Sequence, residues 1–256
     1  MIVLPRRLLL AKAIKPDNLL RWSAPVDREH LLRGFGRIRP SKRMLEARNR
    51  FQVCEDINTQ QLAEVLEKCL LKEPEEIVVL QASDPRALNT AVRAAAMIGQ
   101  AGRLPLVLRF TGPPGGTSDS DDIWMSIISE GYTERRDGEV KDLHVATKSS
   151  VSALAVAITN IVHEECTARL IGIGPDNTFK MAKAIAIAAN HCCNPAIGPV
   201  GELLSEVSTI VLDPTTNAPP TRRGGNGKPF WGMQILVHMR PKHRRRRNNP
   251  LPSKAS

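Results

Sequence analysis

Aromatic residues are scarce in this chain: five Phe, three Trp and one Tyr among 256 positions. That scarcity counts against a module that reads bases mainly by stacking them on a sheet surface. Cysteine is nearly as sparse. Five of them, an odd number without Cys-x-x-Cys spacing, supply neither a disulfide framework nor a structural zinc motif. A reducing compartment, cytosol or organelle interior, fits that usage best. No run approaches ~18 apolar residues, so no transmembrane span and no membrane partner are expected. With 42% hydrophobic residues, the chain still has enough apolar material for a core, in one large domain or two small ones.

Acidic residues are few at the N-terminal end and missing from the C-terminal one, and this localises the net charge of +10. Residues 1–50 hold 13 basic and 4 acidic side chains, and residues 240–256 hold 7 basic and none acidic. The remainder, 51–239, therefore carries 16 basic against 22 acidic residues. An acidic-leaning body lies between two basic ends, unlike a uniformly basic nucleic-acid domain. Residues 1–16, with Arg6, Arg7, Lys12 and Lys15 among short apolar runs, read as a mitochondrial presequence, an ordinary basic arm being the alternative. Residues 17–50 continue as a basic, weakly periodic extension that orders on a partner. At the other end Arg240, Lys242, Arg244, Arg245, Arg246 and Arg247 form a self-repelling run. It reads as a phosphate-binding tail, with a solvated tail or nuclear-import signal as the alternative. The expected location is the mitochondrial matrix, with nucleus or cytoplasm as alternatives.

Between the ends the pattern repeats. Ile77–Ile98 has a degenerate counterpart at Leu170–Ala189, in a register that matches Arg93 with Lys183 and Ala94 with Ala184. Short strands are expected at Phe51–Glu55 and Leu143–Ala146. Each precedes an amphipathic helix, with Leu62, Val65, Leu66, Cys69 and Leu70 on one face of the first. Val151, Leu154, Ala155, Ile158, Ile161 and Val162 share a face of the second. Thr59, and Ser149 or Ser150, are the expected N-caps. Strands at Ile77–Leu80 and Leu170–Ile173 lead through Asp-Pro and Gly-Pro turns into alanine-rich helices, suited to close approach. Further strands are expected at Pro105–Phe110, Ile123–Ser129, Val207–Leu212 and Phe230–Met239. The loop 190–206 is long enough for a short helix. The order βαβαββ, twice, predicts an α/β chain of two α+β sandwiches, over 51–131 and 140–239, flanked by the 1–50 extension and the 240–256 tail.

The second copy resembles the bacterial stage V sporulation protein S family. The likeness lies in His144–Ser150 before an apolar helix, in Ile173-Gly174, and in Lys183–Ala188. Ala87–Ala94 of the first copy is similar to that family's second helix. The resemblance implies an Alba-like fold, whose members form dimers and bind DNA or RNA. Two fused copies would then make an intramolecular pseudo-dimer, with further oligomerisation through Alba-like interfaces. In such proteins the first strand–helix junction and the last hairpin face phosphate. Here the second junction offers Lys148, Ser149 and Ser150, which either bind phosphate at a helix N-terminus or merely cap the helix beside a solvated lysine. The second hairpin offers Arg222, Arg223 and Lys228, set among glycines that let guanidinium groups approach a backbone, or simply a solvated tip. Trp231 either stacks one base or packs in the core. The first copy has Asn58-Thr59-Gln60 after Glu55 and Asp56, and a hairpin with Asp119, Asp121 and Asp122. Its surface is suited to a protein partner instead.

Catalysis is not expected. His191-Cys192-Cys193 are consecutive and cannot converge on one ion from a regular element, so no metal is expected. Gly172 and Gly174 lack the third glycine and downstream acid of a dinucleotide loop, so no cofactor is expected. The functional expectation is a non-catalytic RNA-binding protein, with DNA left open, working through phosphate contacts in a mitochondrial RNA-processing or translation assembly. The alternative is a structural subunit of a large ribonucleoprotein, such as a ribosome, whose ends dock on neighbouring protein subunits.

Overall fold

A computed structural model describes residues 47, 49–102, 104–112, 123–129, 138–212 and 230–241. The elements run β1 (Asn49–Val53), α1 (Thr59–Lys72), β2 (Val78–Ala82), α2 (Pro85–Gln100), β3 (Leu106–Thr111) and β4 (Ile123–Ser129). They continue with β5 (Val140–Val145), α3 (Val151–His163), β6 (Thr167–Gly172), α4 (Pro175–Cys193), β7 (Gly201–Leu212) and β8 (Phe230–Pro241). The order βαβαββ thus occurs twice, and the chain is of mixed α/β class.

The eight strands of the described residues join one sheet in the order β1-β2-β4-β3-β7-β8-β6-β5. The pairs β1–β2 and β5–β6 are parallel and the others antiparallel. Read outward from the centre, the two halves show the same strand sequence. They meet where Leu108 of β3 stands opposite Ser205 of β7.

Alternation along the strands selects which residues face the helices. Val78, Leu80 and Ala82 of β2, Met125 and Ile127 of β4, Leu203 of β7 and Ile235 and Val237 of β8 share one apolar cluster with all four helices. The alanines do what their size permits. Ala87, Ala91, Ala94 and Ala95 of α2, and Ala182, Ala184 and Ala188 of α4, have no exposed surface. The two helices therefore pack on the sheet and on each other. Thr178 Oγ1 of α4 donates to Asn89 Oδ1 of α2 at 3.0 Å. Each also reaches the other half's central strand, α2 against β7 and α4 against β3.

Several expected boundaries shift for identifiable reasons. The N-cap of α1 is Asn58, not Thr59; its extended backbone lets Oδ1 accept from the N–H groups of Gln60 and Gln61, at 2.9 and 3.3 Å. The loop 190–206 carries no helix. Instead α4 continues to Cys193 because His191 and Cys192 are themselves buried, and β7 starts at Gly201. Only 194–200 remains as connection, turned by Asn194, whose carbonyl accepts from Ile197 N–H at 3.1 Å. At the end of β8 the ladder takes in Arg240 and Pro241, opposite Glu202 and Gly201. No helix among the described residues is long and apolar enough to cross a membrane.

Candidate nucleic-acid interface

The corner where β5 passes into α3 is built by two serines with different tasks. Ser149 Oγ accepts from Ala146 N–H at 3.0 Å, and its own N–H donates to the Ala146 carbonyl at 2.9 Å, closing a tight turn. Ser150 is the N-cap of α3, its Oγ accepting from Ala153 N–H at 3.4 Å. Within this turn, Lys148 is exposed. Among the described residues it has no acidic partner. Serine capping and an exposed lysine thus coexist at one corner.

A second lysine joins it. Lys180, in the second turn of α4, donates from Nζ to the carbonyl of Thr147, the residue before Lys148. Nothing in the local sequence around Lys180 announces this. It follows from the sheet order, which sets α4 beside the β5–α3 corner. The start of α4 is also open. Its N-cap is Gly174, at φ 86°, with no side-chain cap. Pro175 brings no N–H, which leaves those of Asp176 and Asn177 uncapped by any side chain, at the positive end of the helix dipole. Asn177 turns its amide back to the Ile173 carbonyl at 2.9 Å. The Asp176 carboxylate in that first turn opposes an approaching anion.

The equivalent corner of the first half carries the opposite charge. Glu55 and Asp56 follow β1, and Asp84 caps α2 with 2.8 Å bonds from the N–H groups of Arg86 and Ala87. Arg86 pairs with Glu55 at 3.5 Å, both side chains largely in solvent. A carboxylate already occupies the helix terminus where a phosphate would sit. This half offers no comparable anion site at that corner.

Arg169, Lys141 and Arg240 of the second half are committed to ion pairs. Arg169 makes a double hydrogen bond to Asp142 at 2.7 and 2.6 Å, which holds its guanidinium protonated well into the alkaline range. Lys141 is paired with Glu164 at 2.5 Å, and that bond likewise raises its pKa. Arg240 is not part of a free tail: it lies in β8 and pairs with Glu202 at 3.0 Å, which also receives Arg109 at 3.1 Å.

Trp231 is not a core residue. It is 65% exposed, and Val211, directly opposite on β7, is 54% exposed. The β7–β8 ribbon outruns its neighbours. Strand β6 pairs with β8 only over Met233–Val237, and Trp231 lies beyond that register. The expected contacts Arg222, Arg223, Lys228, Lys242, Arg244, Arg245, Arg246 and Arg247 lie outside the described residues, as do Asp119, Asp121 and Asp122.

The His191-Cys192-Cys193 run behaves as a packed structural element. His191 is buried and its Nδ1 lies 3.2 Å from Thr159 Oγ1. Burial pushes the Cys192 thiol up to about 12, so its 3.8 Å contact with His163 Nε2 joins two neutral groups. Among the described residues no cluster of three potential ligands could hold a metal ion.

Residues 141–197 match the family model of stage V sporulation protein S (SpoVS). The match spans β5 through α4, including Lys148, Ser149, Ser150 and Lys180, and ends before β7. The resemblance read for the second half is therefore found again there, whereas the first half lies outside the match. No curated protein matches the chain significantly.

Proposed function

We propose that the chain is a tandem of two Alba-like units packed as an intramolecular pseudo-dimer, and that its second half binds RNA through phosphate contacts without catalysis. The repeated βαβαββ order, the mirrored strand order and the mutual packing of α2 and α4 favour the tandem reading. The observation that carries the binding reading is the charge difference between equivalent corners. Lys148 and Lys180 flank an uncapped helix start in the second half; Asp84, Glu55 and Asp56 occupy the first. Phosphate neutralised by lysine releases condensed counterions, which favours binding without sequence choice. The exposure of Trp231 supports its stacking one base, with Arg222, Arg223 and Lys228 as further phosphate contacts. The tail from Lys242 to Arg247 adds sequence-independent affinity. The acid-free start of the chain suggests the mitochondrial matrix and an RNA-processing or translation assembly there.

The test is RNA affinity of the full chain measured across salt concentration. Lys148→Ala with Lys180→Ala removes two phosphate partners, and the slope of log affinity against log salt should flatten by about 1.4 on a single strand. Trp231→Ala should weaken binding by about 1–3 kcal/mol with the slope unchanged. An unaltered slope in the double lysine variant would sink the corner as the interface. If RNA affinity is absent in the intact chain, the structural-subunit reading takes its place.

A further inference from the structure

Two strand registers bring Trp231 and the lysine corner to the same end of the sheet. Val145 of β5 stands opposite Gly172 of β6, and Gly172 stands opposite Met233 of β8. Two residues beyond this row lie Thr147 on one side and Trp231 on the other. Only β6 separates their strands, and two strand spacings are about 10 Å. Thr147 brings both lysines with it: Lys148 follows it in the exposed turn, and Lys180 donates to its carbonyl. The stretch between is open, since a Cβ built on Gly174 would meet no described atom within 4 Å. Two glycines hold the row together. A Cβ on Gly172 would stand 3.1 Å from Asn177 Cβ and 3.2 Å from Met181 Cε, so its absence lets α4 settle on the end of β6. A Cβ on Gly232 would stand 3.0 Å from Leu212 Cδ1 and 3.3 Å from the Gly172 carbonyl oxygen, so its absence lets the ribbon close against β6. Trp231 is the next residue. Alternation puts its indole on the side of Met233 and Ile235, which is the side of the helices.

We propose that this end of the sheet takes one unpaired nucleotide, its base on the Trp231 indole and its phosphate on Lys148 and Lys180. The inference rests on the RNA reading above and adds the class of strand, single rather than double. In a duplex both faces of each base are covered by neighbours in the stack. Such a strand reaches the lysines with its backbone and leaves the indole empty. An unpaired base can leave its stack and meet the indole while its own phosphate meets the lysines. The separation of about 10 Å suits that pairing, because base and phosphate of one nucleotide are joined through a single sugar. Stacking on an indole is open to every base, so selection for an unpaired strand brings no choice of sequence. Gly232 is then a positioning residue. It touches no RNA, but it sets the indole against the end of β6.

Trp231 reports on this directly. The full chain carrying Trp22→Phe keeps two indoles, Trp124, which is buried, and Trp231, which is exposed. The probes are a single-stranded RNA without self-complementarity and the same strand annealed to its complement. Tryptophan emission should fall on adding the single strand and stay level on adding the duplex. Trp231→Leu should abolish that quenching and lower single-strand affinity about 5- to 140-fold, with duplex affinity unchanged. Gly232→Val should also lose single-strand affinity selectively, with the parent's salt slope and far-UV circular dichroism retained. A merely structural role for Gly232 would weaken both strands alike. Equal losses for the two strands in Trp231→Leu, or quenching by the duplex as strong as by the single strand, overturns the proposal. A lysine-dependent salt slope that persists in that case leaves the RNA reading standing. Absence of affinity for either strand in the parent overturns both. Should Gly232→Val not fold, Trp231→Leu, made at an exposed position, decides the matter.

Discussion

His191 shows how a residue that looks like a ligand becomes a structural one. It projects from α4 into the contact with α3, where Thr159 Oγ1 meets Nδ1 and donates in turn to the Ala155 carbonyl at 2.9 Å. Its Nε2 is buried without a partner. Burial, and then the nearby charge of His163, lower its pKa; burial alone lowers that of His163. Cys192, whose thiol burial pushes up to about 12, brings no charge that could compensate. A base whose pKa is lower in the folded chain binds more protons when unfolded. The two histidines therefore leave stability intact above the unfolded value of about 6.5 and reduce it as pH falls from there toward their folded values. Urea midpoints at pH 7.5 and 5.5 should differ by less in His191→Gln than in the parent. An equal difference would show that the contact does not titrate.

At the scale of the element, helix starts decide most of the detail. Asp84 caps α2 with two 2.8 Å bonds and makes α2 the better anchored of the two alanine-rich helices. Asp84→Ala should cost about 1 kcal/mol, lowering the melting temperature by roughly 3 °C for a chain of this size. Ser150→Ala should cost less, since its single cap bond is 3.4 Å long; calorimetry of both variants tests the ranking. The element order, most of each helix face and the Ser150 cap were legible because each rests on local spacing or capping chemistry; Val65, expected on the apolar face of α1, is 43% exposed instead. Boundaries were less so. Asn58 and Thr59 are both capping types, and only the extended backbone at Asn58 separates them. The start of β7 was hidden because Glu202 and Glu206 look like loop residues, yet Glu202 is drawn into the sheet by Arg109 and Arg240. Lys180 was invisible for a different reason: its partner, Thr147, comes from another element that only the tertiary fold brings near.

The whole described body has one main core, and that fixes how it should unfold. Residues of both halves belong to the same apolar cluster, from Leu66 and Leu88 to Ile158 and Ile235. The seam adds polar contacts: Gln100 Nε2 donates to the Thr209 carbonyl at 2.9 Å, and Thr209 Oγ1 returns a bond to Gln100 Oε1 at 2.7 Å. Neither half could keep these partners alone. Separated halves would expose β3, β7 and the alanine faces of α2 and α4. Leu108 lies at this seam, fully buried and opposite Ser205. Its truncation to alanine should remove about 2–5 kcal/mol, and the loss should appear equally in both halves. Hydrogen exchange under native conditions gives the readout: amides of β2 in the first half and β6 in the second should lose protection by the same factor in Leu108→Ala. Faster exchange in β2 with β6 unchanged would mean two independently stable units that merely touch, and the continuous sheet would then be a junction rather than a shared fold.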